Sequence, residues 1–303
     1  MVYHFNVEYV WKGSLTDTIS IHTNRGDGSF EPGRLYFVYA REKEGTLSPY
    51  GCERTNPFEY ALADRYALPP PSAKPGAPAY SPLTREHIID QLGSLDEHIF
   101  YGAVEALNRE RGDRDVLVHE LKSIIRGERP GDAAMAIDGL RRAGDYTEPT
   151  AQDIAWSAVH GDARARAAAL RSLRSMLSFE AYYPYLMDGL ADTSRSVKIE
   201  AMMDLSDIGR ADTMSLEKIA SLNHPPYPFE LFNGKDSERL FNIISAFLAD
   251  DNFFLRGEAI ECIQYFRTRR DVVIPLLEQI RATDPQSPIR FHAEQALEHL
   301  RSR

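Results

Sequence analysis

Three places along the chain put a histidine beside, or two residues before, a glutamate: Glu97-His98, His119-Glu120 and His292-x-Glu294. Imidazole and carboxylate groups together can bind a transition metal. The pairs do not share a frame in the repeat described below, and no other His or Cys cluster has the spacing of metal ligands. We therefore interpret them as surface histidines, and we expect neither a metal nor a cofactor.

The chain also lacks the patterns of common nucleophilic and phosphate-binding sites. It has no Gly-x-Ser-x-Gly nucleophile elbow and no Gly-rich loop that leads from a strand into a helix. Its two cysteines, Cys52 and Cys262, fall in different halves, which excludes a disulfide framework and a Cys-based zinc cluster. Cys262 precedes the apolar Ile263, and we expect it to be a buried structural thiol.

One basic cluster could bind an acidic group. Arg164, Arg171 and Arg174 are separated by seven and three residues, a spacing that places them on one face of an α-helix. They could contact an acidic partner or phosphate groups. The alternative is a solvated face whose arginines pair with the acidic residues of adjacent repeats.

A second candidate binding site is the segment 224–234, which reads HPPYPFELFNG. Its three prolines prevent a regular helix. Aromatic side chains are enriched at protein interfaces, so the segment could bind a protein partner. The alternative is that its phenylalanines fill the gap left by a missing helix. The candidate partner-binding residues here are His224, Tyr227, Phe229 and Phe232.

These candidates lie within a repeated pattern. Six alanines each precede a Leu or Ile by four residues, and the steps between them are 33, 33, 32, 58 and 34 residues: Ala103, Ala136, Ala169, Ala201, Ala259 and Ala293. A fixed period in this range is typical of stacked supersecondary units. The 58-residue step contains one degraded copy, which includes segment 224–234. We expect each alanine to be buried where the two helices of a hairpin approach closely.

Further positions agree among the later copies. An aspartate lies nine residues before the alanine in three copies, where it can cap the second helix of a hairpin, and a basic residue lies three before. The aspartates are Asp192, Asp250 and Asp284, and the basic residues are Lys198, Arg256 and Arg290. This pattern resembles the HEAT repeat, in which aspartate and a basic residue form a ladder between neighbours. The resemblance covers residues 83–303 and implies a right-handed α-α superhelix of six or seven helical hairpins.

Resemblance to HEAT repeats implies protein–protein interaction as the usual function, although some members are enzymes. Helical-repeat hydroxylases bind two irons through His-Glu pairs at equivalent positions of four repeats. Here His98 lies five residues before its alanine and His292 lies one before, so the pairs depart from that arrangement. Bilin lyases and DNA glycosylases are the other enzymatic alternatives.

The first part of the chain predicts a small β domain. Apolar and polar residues alternate from residue 3 to residue 11, which indicates a strand. Further strands are predicted over 18–23 and 34–40, with a less regular fourth near Leu47–Cys52. Pro57 then opens a short helix. Six prolines between residues 69 and 82 predict an extended polyproline spacer.

Residues 3–68 resemble part of a netrin-type module, the OB-fold barrel of the tissue inhibitors of metalloproteinases. The motifs are Val10-Trp11-Lys12-Gly13, Gly33–Ala40 and Cys52-Glu53-Arg54-Thr55. The Cys-x-Cys segment through which that family inhibits proteases is absent, so protease inhibition is only an alternative function. An incomplete barrel leaves an open strand edge. The first solenoid helix could cover this edge, a second chain could pair with it, or the natural protein could start upstream. We expect the third, with the missing strand and an export signal before Met1.

Composition restricts the partners further. The 303-residue chain carries a net charge of −10, and an acidic surface repels phosphate backbones, so nucleic acid is an improbable partner. No apolar run reaches membrane-spanning length, and residues 1–12 do not resemble a signal peptide. As written, the chain is expected in the cytoplasm. If the natural protein starts further upstream with an export signal, the protein is expected outside the cytoplasm.

Together these patterns predict three regions: a partial netrin-like β domain in residues 1–68, a Pro-rich linker in 69–82 and a HEAT-like solenoid in 83–303. The function that we expect is a non-enzymatic scaffold. Its protein partner would bind the concave face of the solenoid or segment 224–234. The partner's identity and the oligomeric state are left open.

Overall fold

The computed structural model of the chain describes residues 2–6, 9–10, 18–22, 30–38, 40–43, 46–49, 56–68, 71–73, 80–109, 113–212, 231–232, 234 and 237–302. Within this part the chain divides into two compact units, Met1–Asp145 and Tyr146–Arg303. From residue 85 onward the regular structure is helical, apart from short turns. The helical hairpins described below confirm the predicted helical-repeat architecture.

Unit 1 begins with a four-stranded sheet in the order β1, β3, β6, β5. Strand β1 (Val2–Asn6) pairs antiparallel with β3 (Thr18–His22), and β3 pairs parallel with β6 (Thr46–Pro49). Strand β5 (Ala40–Lys43) completes the sheet by pairing antiparallel with β6. Ile21 of β3 is fully buried, so this strand has one face in the core.

Two further strand pairs correct the sequence prediction. The expected strand over 34–40 is divided, because β4 (Tyr36–Phe37) pairs with β7 (Asn56–Pro57) whereas β5 belongs to the four-stranded sheet. The predicted linker contributes β8 (Ser72–Ala73), which pairs with β2 (Tyr9–Val10). The described strands thus form an open sheet and two pairs, and they do not close a barrel.

The short helix after Pro57 is confirmed and packs on the helical part of unit 1. A 3-10 turn (Phe58–Tyr60) leads into α1 (Leu62–Ala67), whose Leu62 is buried. A Cβ atom at Gly102 would lie 3.4 Å from the Cβ of Leu62, which shows how closely α1 approaches the next long helix. The Tyr66 hydroxyl donates to Oδ2 of Asp113 at 2.9 Å and strengthens this contact.

Four more helices complete unit 1 as two hairpins: α2 (Arg85–Gln91), α3 (Glu97–Arg109), α4 (Arg114–Ile125) and α5 (Ala133–Arg142). Helix α3 packs against α2, α4 and α5. Polar caps set the start of two helices, since Thr84 accepts from the His87 amide and Asp132 accepts from the Met135 amide.

The described part of unit 2 contains four hairpins, α6/α7, α8/α9, α10/α11 and α12/α13. Their helices are α6 (Glu148–His160), α7 (Ala163–Met176), α8 (Phe179–Ala191), α9 (Arg195–Asp212), α10 (Ser237–Phe247), α11 (Phe253–Ile263), α12 (Arg270–Thr283) and α13 (Ser287–Arg301). The second helices lie side by side, because α9 packs against both α7 and α11, and α11 packs against α13. No helix among the described residues is both long and apolar enough to cross a membrane.

All six repeat alanines are fully buried, which confirms the register derived from their spacing. The alanines are buried because the two helices of a hairpin cross closely at these positions. A Cβ atom at Gly189 of α8 would lie 3.1 Å from the Cβ of Ala201 in α9. Small residues on both helices therefore let the two backbones approach, and a larger side chain would separate them.

The three repeat aspartates organise the loop between the helices of a hairpin. Each accepts a hydrogen bond from the backbone amide two residues later, at 2.7 Å from Ser194 to Asp192, 2.8 Å from Asn252 to Asp250 and 2.9 Å from Gln286 to Asp284. The aspartates therefore cap the loop that precedes the second helix rather than the first turn of that helix.

Arginines link consecutive hairpins through the same aspartates. Arg256 donates from Nε to Oδ2 of Asp284 at 2.9 Å, and Arg166 donates from Nε to Oδ2 of Asp192 at 2.7 Å. Both arginines lie three residues before a repeat alanine, as the ladder predicts. Lys198, the third basic residue of this kind, does not form such a ladder contact. Its ammonium lies 5.9 Å from the centre of the Phe247 ring, and within the described residues Lys198 makes no ion pair.

Candidate functional site: the second-helix face of unit 2

The candidate site is the face of the second helices that points away from the hairpin cores. An α-helix turns about 100° per residue, so residues two or five positions from a buried alanine, and those six or nine after it, project from its opposite side, and the residue directly before the alanine lies at the edge of that side. We call this surface the second-helix face. It consists of Arg164, Arg171 and Arg174 of α7; Glu200, Met203, Asp207 and Arg210 of α9; Phe254, Glu258 and Glu261 of α11; and Phe291, His292, Gln295 and His299 of α13.

Large apolar side chains are exposed on three consecutive helices of this face. Met203 of α9 is 47 % exposed, Phe254 of α11 is 58 % exposed and Phe291 of α13 is 60 % exposed. Single exposed apolar residues are ordinary on a protein surface. Three on one face of adjacent helices form a series that a partner could bury.

Ion pairs connect α7 to α9 across the face. Arg171 donates from Nε and Nη2 to the two carboxylate oxygens of Glu200 at 2.9 and 2.7 Å. Arg174 donates from Nη1 to Asp204 at 2.7 Å and to Asp207 at 2.8 Å. Two of the three predicted arginines thus pair with acidic residues of the next repeat, which was the alternative to a partner site. Arg164 lies exposed on the same side of α7.

Asp204 is a buried carboxylate at the border of the face. It is 2 % exposed and accepts hydrogen bonds from Arg174 and from the hydroxyl of Tyr182, which is itself buried in α8. Burial raises the pKa of Asp204 to about 6, and the nearby cation of Arg174 opposes that rise. The Asp204 carboxylate therefore links helices α7, α8 and α9, although burial disfavours its ionised form.

Two more carboxylates lie next to each other on α11. Glu261 accepts from Nε2 of Gln264 at 2.9 Å and lies 3.4 Å from Nδ1 of His292. Glu258 is half-buried and makes no hydrogen bond or ion pair within the described residues. Burial and the charge of Glu261 raise the pKa of Glu258, whereas Arg210 and His292 lower it. This part of the face carries negative charge that the protein compensates incompletely.

A shallow cavity lies beside these carboxylates. Its volume is about 280 Å³, and it opens among α9, α11 and α13. The lining is polar apart from one alanine and comprises Arg210, Glu261, Gln264, Tyr265, Gln295, Ala296 and His299. Burial raises the pKa of Tyr265 to about 12, so the phenol is neutral near pH 7 and can serve as a hydrogen-bonding group.

The structure does not bring the three His-Glu pairs together. His98 is exposed in unit 1, where it stacks on Tyr60 with the ring centres 4.9 Å apart. His119 is exposed on α4, and His292 lies in unit 2. Among the described residues no group of three His, Cys, Asp or Glu side chains could hold a metal ion.

Of the four candidates in segment 224–234, Phe232 belongs to the described residues. Phe232 is 1 % exposed and packs edge-to-face on Phe266, with the ring centres 5.1 Å apart, and against Tyr265. It therefore fills the hydrophobic core, as the gap-filling alternative expects. The other three candidates, His224, Tyr227 and Phe229, lie outside the described residues.

The cysteines carry no reactive site in the described part of the chain. Cys262 is fully buried, and its thiol lies 3.4 Å from the carbonyl oxygen of Met202. Burial raises the pKa of this thiol well above its ordinary value, which keeps it protonated and inert. The predicted structural role of Cys262 is confirmed, whereas Cys52 lies outside the described residues.

Sequence reasoning missed two features of the site. The ladder position of Arg166, three residues before Ala169, was missed because the comparison used only the three later copies of the repeat. Glu200 and Glu258 each precede a repeat alanine directly, and Glu261 follows Ala259 by two positions. Counting positions from the repeat alanines therefore predicts a row of acidic residues on α9 and α11.

Comparison with known proteins gives structural similarity only. No protein-family model matches the sequence, and no curated protein sequence matches it. Similar solved structures include a designed armadillo repeat protein in complex with the peptide (KR)4, which is 15 % identical, with a TM-score of 0.42 over 72 % of this chain and 100 % of that chain.

Two further structures are similar to a comparable extent. Armadillo repeat proteins computationally designed for modular peptide recognition include one that is 14 % identical, with a TM-score of 0.38 over 71 % of this chain and 90 % of that chain. A structure described for microtubule plus-end tracking by XMAP215, CLIP-170 and EB1 is 17 % identical, with a TM-score of 0.36 over 70 % and 89 %. These similarities are too low to transfer a ligand to this chain.

Proposed function

We propose that the protein is a non-enzymatic scaffold that binds a protein partner on the second-helix face of unit 2. The observation that carries this proposal is the series of exposed apolar side chains Met203, Phe254 and Phe291 on three adjacent helices. Charged groups surround them, as polar residues surround the apolar centre of a protein interface. Segment 224–234 is a second proposed contact, through His224, Tyr227 and Phe229.

Affinity capture with two matched variants tests the scaffold function. Phe254→Ser with Phe291→Ser removes apolar area from the second-helix face. Val159→Ser with Val272→Ser removes exposed apolar side chains from the first helices α6 and α12 and serves as the control. We expect a partner recovered with the wild type and the control but lost from the first variant. Equal recovery with all three proteins would refute a role for this face.

The proposal that the protein is not an enzyme has its own test. A helical-repeat hydroxylase would carry iron in stoichiometric amounts. We expect elemental analysis of the purified full chain to give well below one iron or zinc per chain. A value near one for either metal would instead support a metal-dependent activity, and the His-Glu pairs would then be the first positions to substitute.

We also propose that residues 1–68 derive from a netrin-like OB barrel. Alternation of apolar and polar residues along β1 and its antiparallel pairing with β3 support this assignment. The open order β1, β3, β6, β5 leaves room for additional strands at either edge of the sheet. An experimental structure in which further strands complete a five-stranded barrel would establish the assignment, and a different topology would exclude it.

A further inference from the structure

We propose that the second-helix face from α9 to α13 binds an extended peptide segment of the partner that carries both basic and apolar side chains. This inference rests on the scaffold function proposed above and adds the chemistry of the partner. It follows from charge, from exposed apolar area and from the spacing of the helices.

The charges of this face leave two carboxylates for a partner. Arg171 pairs with Glu200, while Asp204 and Asp207 share Arg174, and Asp207 also receives Arg210 at 3.3 Å. Glu258 and Glu261 of α11 are compensated less closely. Within the described residues Glu258 makes no ion pair, although the charges of Arg210 and His292 act on it, and Glu261 lies 3.4 Å from Nδ1 of His292. A lysine or arginine of the partner would complement these two groups.

Partial burial makes this complementarity favourable. Glu258 is only partly accessible, and burial together with the like charges of Glu261 and Asp207 outweighs the opposing charges of Arg210 and His292, so the pKa of Glu258 is raised. A like charge nearby and loss of water both disfavour the ionised carboxylate. A cation that approaches from the open side would remove this penalty, and it would interact more strongly there than at a fully solvated acid.

The apolar side chains lie on the same helices as the carboxylates or on their neighbours. Phe254 lies one helical turn before Glu258, Met203 lies on α9 and Phe291 lies on α13. Apolar residues of a partner could therefore cover this series while a basic residue contacts α11. A purely basic segment would leave the series exposed, and a purely apolar segment would bury the carboxylates without a counter-ion.

The spacing of packed helices favours an extended chain. Neighbouring helices lie about 8–10 Å apart. An extended or polyproline-type segment advances about 3.1–3.4 Å per residue, so every third residue matches the next helix. The two steps from α9 through α11 to α13 therefore need a segment of roughly seven residues.

Synthetic peptides test this chemistry with the full-length protein. The probe is a fluorescein-labelled peptide of four Lys-Leu-Ser repeats, and the comparison peptides replace every Lys by Glu or every Leu by Ser. We expect saturable binding of the Lys-Leu-Ser peptide in fluorescence anisotropy. Each comparison peptide should bind at least about tenfold more weakly, because each loses one of the two types of contact. Equal or tighter binding of the Glu peptide, or no binding of any peptide, would overturn the inference.

Charge variants connect the binding to the proposed residues. Glu258→Gln with Glu261→Gln should weaken Lys-Leu-Ser binding roughly five- to tenfold, a loss in the range of two partly exposed ion pairs. This variant removes a repulsion, so it should fold as well as the wild type. The control, Asp188→Asn with Glu238→Gln, removes exposed carboxylates from the first helices α8 and α10 and should leave the affinity unchanged. Equal affinities of all three proteins would overturn the inference.

The two proposals fail separately. If the peptides do not bind but the Phe254→Ser, Phe291→Ser variant still loses the captured partner, the scaffold function stands and the basic-apolar chemistry is wrong. If capture is insensitive to the face variants, the proposed function itself is wrong, whatever the peptides do.

Discussion

A Cβ atom added to Gly209 of α9 would lie 2.6 Å from both Cγ and Cε2 of Tyr265, which follows helix α11. Real Cβ atoms do not approach other heavy atoms so closely. The ring of Tyr265 thus packs directly on the backbone of α9 and joins two consecutive second helices. Because Tyr265 also lines the polar cavity, this contact fixes one end of the second-helix face.

Gly209→Ala should therefore destabilise unit 2. The added methyl group must displace the Tyr265 ring, and overpacking of this kind costs about 1–3 kcal/mol. Gly257→Ala in α11 is the matched control, because its Cβ atom would lie 3.6 Å from Ile289, an ordinary contact. Alanine inside a helix is more stable than glycine by about 0.5–1 kcal/mol, so the control should gain stability. Urea unfolding of both variants measures the difference, and a stable Gly209→Ala protein would contradict the packing described here.

The buried arginine–aspartate ladder should contribute more stability than the exposed ion pairs. The side chains of Arg256 and Asp284 are 9 % and 7 % exposed, whereas Arg171 in the pair with Glu200 is 59 % exposed. Asp284→Ala leaves the Arg256 guanidinium buried with only carbonyl partners, and we expect a loss of roughly 3 kcal/mol. Glu200→Ala should cost less than about 1 kcal/mol. Chemical denaturation that gives equal losses for the two variants would be inconsistent with this difference in burial.

Asp204 should make the stability depend on pH. Its pKa is raised from 3.8 to about 6 by burial, so the folded state holds the proton more tightly than the unfolded state. The associated stability is present below pH 4 and is lost as the pH rises through 6. Asp204→Asn, relative to the wild type, should gain on the order of 2–3 kcal/mol between pH 4 and pH 7.5. Asp188→Asn is the control, and identical pH profiles for the wild type and Asp204→Asn would exclude the raised pKa.

The repeat register can be tested at Ala201. Ala201 faces Gly189 across the α8/α9 hairpin, and Leu170 also approaches that glycine. Ala201→Leu should cost about 1–3 kcal/mol, because no space remains for the added atoms. Thermal unfolding that shows no loss of stability for Ala201→Leu would contradict the close approach of these two helices.

The helical part could be predicted because its signals are local. Ala201 and Leu205 lie one turn apart on the same helix, so their recurrence fixes the buried side of each second helix. Division of the 34–40 strand could not be predicted, because β4 pairs with the remote segment 56–57, whereas β5 pairs with the segment that directly follows it, 46–49. Tertiary packing decides such pairings, and the residues within a strand do not encode them.

The candidate site was predicted only in part for a similar reason. Spacing placed Arg171 and Arg174 on one face, and their acidic counterparts were foreseen only as residues of a neighbouring repeat. Whether Phe232 is exposed depends on the rings of Phe266 and Tyr265, which are more than 30 positions away in the sequence. A composition rich in aromatics therefore could not distinguish a core residue from a surface residue.

Site-specific photo-crosslinking tests the central claim, that the second-helix face holds the partner, most directly. A photoreactive phenylalanine analogue at Phe291 of α13 is compared with the same analogue at Val159 of α6, since both side chains are 60 % exposed. Crosslinking in the native lysate should give a discrete adduct from position 291 and none from position 159. An adduct from position 159 alone, or the same yield from both positions, would contradict the account.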